Sequence, residues 1–399
     1  MSNFFLNHYL KHTLRHEITE LYASVAIKNF AFSMIVIFEP IYLYILYGSL
    51  SVVFVYHAVA YTLYFFTASL GAKAAAKYGF EHCIFYSIPF GIFYFLTLSQ
   101  LPNYPWLVVV AILSMVTYKS LFWPSYHTDF AHYGVSGYKG RELSVLTFIL
   151  TIATILGPII GGIILVNFGF QVLFVVVSIV SLISVIPLFA TREQFEPHNF
   201  SYKDSFKRLL KPYGHYKRKD SIAYFGFGEE IVAAIGWPIF IFLIIERFDL
   251  MGVLIGAIAI IIAIVSLYVG KLSDVLQKKD KKKLVTYGTI VYIIAWILRP
   301  FSANWLGVLL VDIMSKGSKT TINYPLYTFI YSAGKNHKGF LKYNMFYEMS
   351  LSAGKALVAW SVALIAILWN YYGGFDFWIV IFSFAGVWSL FYLFKFYKS

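Results

Sequence analysis

A few carboxylates lie inside long apolar segments of this chain, and they are its first candidates for chemistry. Glu39 directly precedes Pro40, and Glu230 and Glu348 lie in two later apolar segments. If these segments cross a membrane, each buried charge costs about 2.5–3.5 kcal/mol and needs a reason to be there. A carboxylate that faces a wet and a dry environment in turn could take up and release a proton. We therefore expect Glu39, Glu230 and Glu348 to couple protons. A static ion pair of Glu39 with a lysine on a neighbouring helix is the alternative.

Polar side chains form a stripe along each of two further apolar segments. Lys119, Trp123 and His127 are spaced i, i+4 and i+8, and Lys319 and Asn323 are spaced i and i+4. At these spacings each set shares one face of a helix. Two ammonium groups that face one cavity would suit an anionic or zwitterionic solute. We predict that Lys119, Trp123, Lys319 and Asn323 bind such a solute.

Ion pairing within the protein is the alternative role for these lysines. Asp312 and Lys316 are spaced i and i+4, so they can neutralise each other on one helix. Lys119 could likewise pair with Glu39 without touching any solute. Solute binding and internal pairing are both compatible with these residue types and spacings.

Three aromatic residues stand directly before a proline in apolar segments: Trp123, Trp237 and Tyr324. Proline removes a backbone hydrogen bond and bends a helix, which could turn the preceding ring towards a bound solute. We therefore add Trp237 and Tyr324 to the predicted solute-binding residues. Packing in the core is the alternative role for all three rings.

The segments that must position these residues are membrane helices. Of the 399 residues, 59% are hydrophobic and 13% are charged, and the mean hydropathy is +0.70. These values exclude a water-soluble globular fold. A single cysteine, Cys83, excludes an intrachain disulfide, a cysteine metal cluster and a redox pair. The sequence predicts an all-α polytopic membrane protein with twelve spans of about 20 residues. In order, spans 1 to 12 are Phe30–Tyr47, Leu50–Leu70, Ile84–Leu101, Trp106–Trp123, Leu143–Val166, Phe170–Phe189, Ile222–Ile245, Met251–Gly270, Leu284–Phe301, Trp305–Ile330, Met345–Leu368 and Phe375–Phe394.

The basic residues mark one side of the membrane. Loops of one parity hold 25 of the 32 lysines and arginines, whereas the other loops hold only Arg247. Both termini are therefore predicted to be cytoplasmic, which agrees with the even number of spans. This placement explains the net charge of +13 without a nucleic-acid partner. Lys28 and Arg299 lie near span ends, where we expect them to reach the headgroups. We also expect the first span to start insertion without a cleaved signal peptide.

The chain contains an internal repeat of about 200 residues. Five pairs of residues recur at offsets of 198 to 201: Pro40 and Pro238, Gly71 and Gly270, Lys119 and Lys319, Pro124 and Pro325, and Gly140 and Gly339. We therefore predict a six-helix bundle over residues 1–190 and a pseudo-symmetric six-helix bundle over 221–399. Between them, residues 191–220 are predicted to form a basic cytoplasmic linker with some amphipathic helix. Parallel repeats of this kind are one plan of secondary transporters.

In topology and repeat, the chain resembles the major facilitator superfamily of twelve-helix transporters. In that family the loop between helices 2 and 3 carries a Gly-x-Leu-x-Asp motif followed by basic residues, often echoed between helices 8 and 9. Gly270, Leu272 and Asp274 match the echo, and lysines follow them. The first copy begins at Gly71 but has Ala75 in place of the aspartate. The resemblance implies gating roles for Gly71, Gly270 and Asp274.

Span 5 resembles the second half of the family's antiporter motif, through Gly157, Pro158, Gly161 and Gly162. Small residues at this spacing let another helix pack closely, and proline bends the helix. A packing face without further function is the alternative. The resemblance also implies that spans 1, 4, 7 and 10 line a central cavity, which both lysine stripes would face.

These observations predict a proton-coupled permease, a secondary transporter that moves a small solute across the plasma or inner membrane by alternating access. The chain has no glycine-rich phosphate loop ending in Gly-Lys-Ser or Gly-Lys-Thr, so we expect no ATPase. We likewise expect no enzyme activity, cofactor or metal, and a monomer whose partners are the solute and membrane lipid. The alternatives are a lipid flippase or scramblase, and a polytopic enzyme that acts on a lipid-linked substrate.

Overall fold

The computed structural model describes residues 16–133, 140–187, 199–214, 216–335 and 340–396, and every regular element in these ranges is a helix. The α-helices are His16–Ser33, Glu39–Tyr47, Leu50–Tyr78, Phe80–Gln100, Leu107–Tyr133, Gly140–Ile183, Tyr202–Leu210, Arg218–Phe225, Trp237–Ile245, Phe248–Val275, Lys278–Leu298, Trp305–Lys335, Phe340–Tyr372 and Phe377–Trp388. Shorter 3-10 turns cover Gly226–Glu229, Arg299–Phe301 and Ser389–Phe396, and a π-helical turn covers Val232–Gly236. The chain is an all-α multi-pass membrane protein.

Within the described ranges, nine helices are long and apolar enough to cross a membrane. They account for ten of the predicted spans, because the helix that ends at Ile183 contains both span 5 and span 6. Spans 1 and 10 are also helical, but span 1 is interrupted and span 10 contains charged residues. A turn over residues 34–38 divides span 1 into two helices, and span 10 carries Asp312, Lys316 and Lys319.

Spans 5 and 6 follow one another at a single glycine. The helix Gly140–Ile183 is continuous except at Gly169, where φ is 77° and ψ is 179°. Glycine adopts a positive φ at little cost because it has no Cβ, so it permits a sharp break between two helices. This break falls between the predicted end of span 5 at Val166 and the predicted start of span 6 at Phe170.

Two helix pairs join the halves of the molecule: span 2 packs along span 11, and span 5 packs along span 8. A Cβ on Gly162 would overlap the carbonyl oxygen of Phe248, and one on Gly252 would overlap that of Pro158. Spans 5 and 8 therefore touch through their backbones. In the repeat, span 2 is equivalent to span 8 and span 11 to span 5, so the two pairs are related by the pseudo-symmetry.

Span 5 also packs closely against span 1. A Cβ on Gly161 would overlap the carbonyl oxygen of Met34, and one on Gly157 would lie 2.7 Å from the Cβ of Ser33. The Ser33 hydroxyl donates a hydrogen bond to the carbonyl of Ala153 at 2.8 Å. The glycines of the span 5 motif thus hold this span between spans 1 and 8.

Candidate functional site

Two glycines bring span 7 against span 11 at the centre of the C-terminal half. A Cβ on Gly228 would lie 2.6 Å from the carbonyl oxygen of Gly354, and one on Gly354 would overlap the carbonyl oxygen of Phe225. Span 7 changes here from a 3-10 turn to a π-helical turn, and such irregular turns are frequent at functional sites. This close approach brings Glu230 of span 7 within reach of Lys355 of span 11.

Glu229 is fully buried and bound by three side chains. Its carboxylate accepts hydrogen bonds from the hydroxyls of Tyr292 and Tyr392, both at 2.7 Å, and forms an ion pair with Lys319 of span 10. The Lys319 ammonium also donates to the Tyr392 hydroxyl. Burying a charge is costly unless it is paired and hydrogen-bonded, and Glu229 meets both conditions within one half of the molecule.

A chain of alternating charges continues from Lys319 towards the interface between the halves. Lys319 lies 3.3 Å from one carboxylate oxygen of Glu230, and Lys355 lies 2.8 Å from the other. The side chain of Glu230 is 27% exposed, against 0% for Glu229, so Glu230 is the carboxylate that water can reach. Lys319, a predicted solute ligand, is held by these two carboxylates.

In the N-terminal half, Gly71 fixes span 4 against span 2. A Cβ on Gly71 would overlap the carbonyl oxygen of Ser120, and the hydroxyls of Thr67 and Ser120 share a hydrogen bond at 2.8 Å. Lys119 directly precedes Ser120. The contact therefore places the Lys119 ammonium beside Tyr61 of span 2.

The hydrogen-bond partner of Lys119 among the described residues is a tyrosine, while Glu39 and Glu348 act on it at longer range. The Lys119 ammonium donates to the Tyr61 hydroxyl at 3.1 Å and lies 4.2 Å from the centre of that ring. Lys355 lies 5.7 Å from the same ring centre, so cations from the two halves flank one tyrosine. Among the described residues, no carboxylate lies within 4 Å of Lys119, and the pair with Glu39 is not formed. An ammonium in this position can accept an anion from outside the protein.

Tyrosines rather than a lysine hold Glu39. The Tyr94 hydroxyl donates to the Glu39 carboxylate at 2.8 Å, and the Tyr56 hydroxyl donates to that of Tyr94 at 3.5 Å. His57 Nε2 lies 3.8 Å from the same carboxylate oxygen. Glu39 begins the second helix of span 1, directly after the turn over residues 34–38. The result is a cluster of exchangeable protons inside the N-terminal half.

Glu348 of span 11 connects the two halves. One of its oxygens accepts a hydrogen bond from Tyr64 of span 2 at 2.9 Å, and the other lies 3.5 Å from Nε2 of His127 in span 4. The Trp123 ring stacks on His127, with 5.3 Å between ring centres. Two predicted site residues, Glu348 and Trp123, thus meet around one histidine.

No three His, Cys, Asp or Glu side chains of the described ranges are grouped to hold a metal ion.

Trp237 lies apart from these groups, in a buried cluster of the C-terminal half. Its Nε1 donates to Asp312 at 2.9 Å, and Arg299 lies 3.6 Å from Asp312 and 4.6 Å from the Trp237 ring centre. Lys316 lies 2.8 Å from Asp312, which confirms the predicted i, i+4 pair. Trp237 therefore orients a buried carboxylate and packs in the core.

Two cations that were predicted to reach the headgroups are buried instead. Arg299 lies 3.7 Å from the ring centre of Trp296, and Lys28 lies 3.2 Å from that of Phe122. The prediction was wrong because neighbouring aromatic rings present faces that attract a cation in the interior.

The remaining predicted residues lie on spans 8 and 10. The Tyr324 ring lies 3.4 Å from the position of a Cβ on Gly270, so this glycine makes room for the ring. Oδ1 of Asn323 is buried and has no hydrogen-bond partner among the described residues. Asp274 belongs to the helix Phe248–Val275, but its side chain lies outside the described residues.

Four tyrosines of the site were not predicted from the sequence. Tyr61, Tyr94, Tyr292 and Tyr392 contact the interior charges, but the chain has 32 tyrosines and nothing in their type distinguishes these four. Two of them could have been identified from the internal repeat. Tyr94 and Tyr292 are 198 residues apart (292 − 94), an offset of the repeat, and each donates to a buried carboxylate.

Solved structures share this architecture. The chain is similar to the human organic anion transporter MFSD10 (TETRAN), with a TM-score of 0.66 and 12% identity over 95% of this chain and 99% of that chain. It is similar to a D-xylose-proton symporter, with a TM-score of 0.67 and 14% identity over 96% and 98% of the two chains. A mutant of the nucleoside transporter NupG gives a TM-score of 0.70 and 13% identity over 95% and 98%. At these identities the likeness shows the fold, twelve helices in two six-helix bundles.

Sequence comparison identifies the family. No curated protein matches the chain. The sequence profile described as Major Facilitator Superfamily, however, matches residues 21–359, which is most of the chain. This match includes both charge-bearing halves of the candidate site. The chain belongs to the Major Facilitator Superfamily.

Proposed function

We propose that this chain is a proton-coupled secondary transporter that carries a small anionic or zwitterionic solute by alternating access, as a monomer with both termini in the cytoplasm. Its family supports transport. The observation that supports the charge of the solute is Lys119, which has no carboxylate within 4 Å in the described part of the chain. One protein of similar fold is named an organic anion transporter.

The proposed solute site lies between Lys119 and Lys355, around the Tyr61 ring. Glu230 already neutralises Lys355, and Glu229 neutralises Lys319. Lys119 is thus the one of these three lysines with no carboxylate within 4 Å among the described residues, although Glu39 and Glu348 act on it at longer range. When those two carboxylates are protonated, the charge of Lys119 is uncompensated and favours a monoanion, or a zwitterion whose carboxylate faces Lys119.

The proposed proton carriers are Glu39 and Glu348. Each accepts a hydrogen bond from a tyrosine and faces a histidine, at 3.8 Å for Glu39 and 3.5 Å for Glu348. The Glu348 bond to Tyr64 crosses between the halves. An ionised carboxylate accepts a stronger hydrogen bond than a neutral one, so protonation of Glu348 would weaken a contact that must break when the halves separate. A symporter of similar fold is named for proton coupling.

A binding screen tests the proposal. Thermal unfolding of the purified chain is measured with monocarboxylates, organic phosphates, amino acids, neutral sugars and nucleosides. We expect anionic or zwitterionic compounds to stabilise the chain, and Lys119→Gln to weaken binding about tenfold or more, because a hydrogen bond to a charged group contributes about 1.5–3 kcal/mol.

Lys316→Gln is the matched control, because Lys316 pairs with Asp312 outside the proposed site. It should keep the stabilisation. Stabilisation by neutral compounds alone, or an equal response in Lys119→Gln, would contradict the solute charge. A pH-sensitive dye inside proteoliposomes then tests coupling, because a gradient of the identified solute should move protons. Solute flux without a pH change would reject coupling and leave the solute site intact.

A further inference from the structure

The linker between the halves contains a short helix that packs on both of them. This helix, Tyr202–Leu210, is capped by Ser201. Phe206 packs on Phe66 of span 2, with 6.1 Å between ring centres, and the Tyr202 hydroxyl donates to the Phe66 carbonyl at 3.3 Å. The helix also contacts span 11. It therefore lies across the junction of spans 2 and 11, where the halves meet.

The position of Phe66 along span 2 indicates how deep the linker helix lies in the membrane. Phe66 follows Leu50, the predicted outer end of the span, by 16 residues (66 − 50), or about 24 Å of helix. A hydrocarbon core is about 30 Å thick, so Phe66 lies near its inner edge. Phe66 and Leu70 are exposed as lipid-facing residues are, and Lys73 and Lys77 follow at the level expected for headgroups. The linker helix thus lies at the boundary between acyl chains and headgroups.

The outer face of the linker combines positive charge with exposed apolar groups. Lys203, Lys207 and Lys211 are exposed, as are Leu210, at 75%, and Tyr213. Residues 199–219 contain seven lysines and arginines but one acidic residue, Asp204. Lysines beside exposed apolar groups at this depth match a phospholipid, whose phosphate and acyl chains lie at the same two levels.

We propose that the linker helix is a docking site for anionic phospholipid of the cytoplasmic leaflet. Lys203, Lys207 and Lys211 bind the headgroup phosphates, while Leu210 and Tyr213 enter the acyl boundary. Because the helix touches both halves, the bound lipid stabilises their contact at the cytoplasmic end. This site is independent of the solute site.

A pair of triple variants tests the proposal on the full chain. The rise in unfolding temperature of the purified chain is measured during titration with phosphatidylglycerol and, separately, with phosphatidylcholine. We expect phosphatidylglycerol to bind more tightly. The variant K203Q/K207Q/K211Q should lose about tenfold or more of that affinity, because each lysine near an anionic surface contributes severalfold.

The control is K279Q/K282Q/K283Q, three exposed lysines in the first turns of the helix Lys278–Leu298, on the same predicted side. It should keep the affinity for phosphatidylglycerol. Equal losses in both triple variants would show a general attraction to basic loops and overturn the docking site. A shift of the same size with soluble glycerol phosphate would assign the lysines to a free anion instead.

A fluorophore on Leu210→Cys, in a Cys83→Ser background, tests depth independently of the lysines. In vesicles it should be quenched by lipids that carry nitroxide near the headgroup. Quenching by a water-soluble agent alone would place the helix outside the bilayer and overturn the proposal.

Discussion

Burial separates the two neighbouring carboxylates of span 7. Glu229 is bound by two tyrosines and Lys319 with no exposed surface, whereas Glu230 is partly exposed between Lys319 and Lys355. Residues on adjacent positions of a regular helix point about 100° apart, yet both carboxylates contact the same ammonium. The irregular turns of span 7 allow this convergence. Glu229 thus stabilises the fold, whereas Glu230 borders the proposed solute site with part of its surface exposed.

This difference predicts unequal effects of two matched substitutions. Glu229→Gln should lower the free energy of unfolding by about 3–5 kcal/mol, because removing one partner of a buried pair leaves the other charge uncompensated. Glu230→Gln should cost less, since Glu230 is partly exposed and Lys319 keeps its ion pair with Glu229. Thermal unfolding of the purified variants measures both. A larger loss in Glu230→Gln would show that exposure does not decide their contributions.

Charged residues of the site could be predicted from the sequence, but their partners could not. A charge in an apolar segment is rare, so Glu39, Glu348 and Lys119 are conspicuous. Whether Lys119 meets Glu39 or Tyr61 depends on how span 4 is rotated against span 2. The contact of Gly71 with the Ser120 backbone sets that rotation, and no spacing within a single helix reports it.

Close contacts between helices determine the geometry of the candidate site. The positions of the predicted spans match the structure, because the length of an apolar run is a local signal. The turn of span 1 over residues 34–38 and the π-helical turn Val232–Gly236 of span 7 lie just before Pro40 and Pro238, where the sequence predicts bends because proline removes a backbone hydrogen bond. The 3-10 turn Gly226–Glu229 was not predicted, because it depends on packing against span 11, which an apolar sequence does not specify.

Gly354→Ala should disrupt the contact of spans 7 and 11. The added methyl group would overlap the Phe225 carbonyl, a backbone atom that cannot turn away. We expect a loss of about 1–3 kcal/mol in unfolding free energy, the usual cost of overpacking. Gly317→Ala is the control, since its Cβ would lie 3.9 Å from the Ile262 Cδ1, an ordinary contact.

In an open position within a helix, alanine is favoured over glycine by up to about 1 kcal/mol, so Gly317→Ala should be neutral or stabilising. Both variants are compared by thermal unfolding in the same detergent. If Gly354→Ala were as stable as Gly317→Ala, the close approach of spans 7 and 11 would not be required for the fold.

The whole molecule is a twofold arrangement of similar halves. The repeat predicted it because prolines, glycines and lysines recur at one register. The halves nevertheless differ in their charges. The position of Glu39 corresponds to Trp237 at an offset of 198 (237 − 39), so one half has a carboxylate where the other has an indole that binds a carboxylate. The two halves share a fold, but they carry different ionisable residues at equivalent positions.

The orientation of the whole molecule is predicted by its basic loops. In a Cys83→Ser background, Asn103→Cys lies in an exposed loop of the predicted outer side. Lys282→Cys lies in the exposed first turns of the helix Lys278–Leu298, on the predicted cytoplasmic side. An impermeant maleimide added to intact cells should label Asn103→Cys at once, and Lys282→Cys only after permeabilisation. The reverse pattern would invert the topology.

The contact of spans 5 and 8, described above, is made by main-chain atoms: Gly162 meets the Phe248 carbonyl, and Gly252 meets that of Pro158. Main-chain atoms are the same in every protein. A descendant could therefore exchange residues of the proposed solute site, such as Lys119 or Tyr61, without altering this contact. Solute selectivity and the packing of spans 5 and 8 can evolve separately, as long as the two glycines persist.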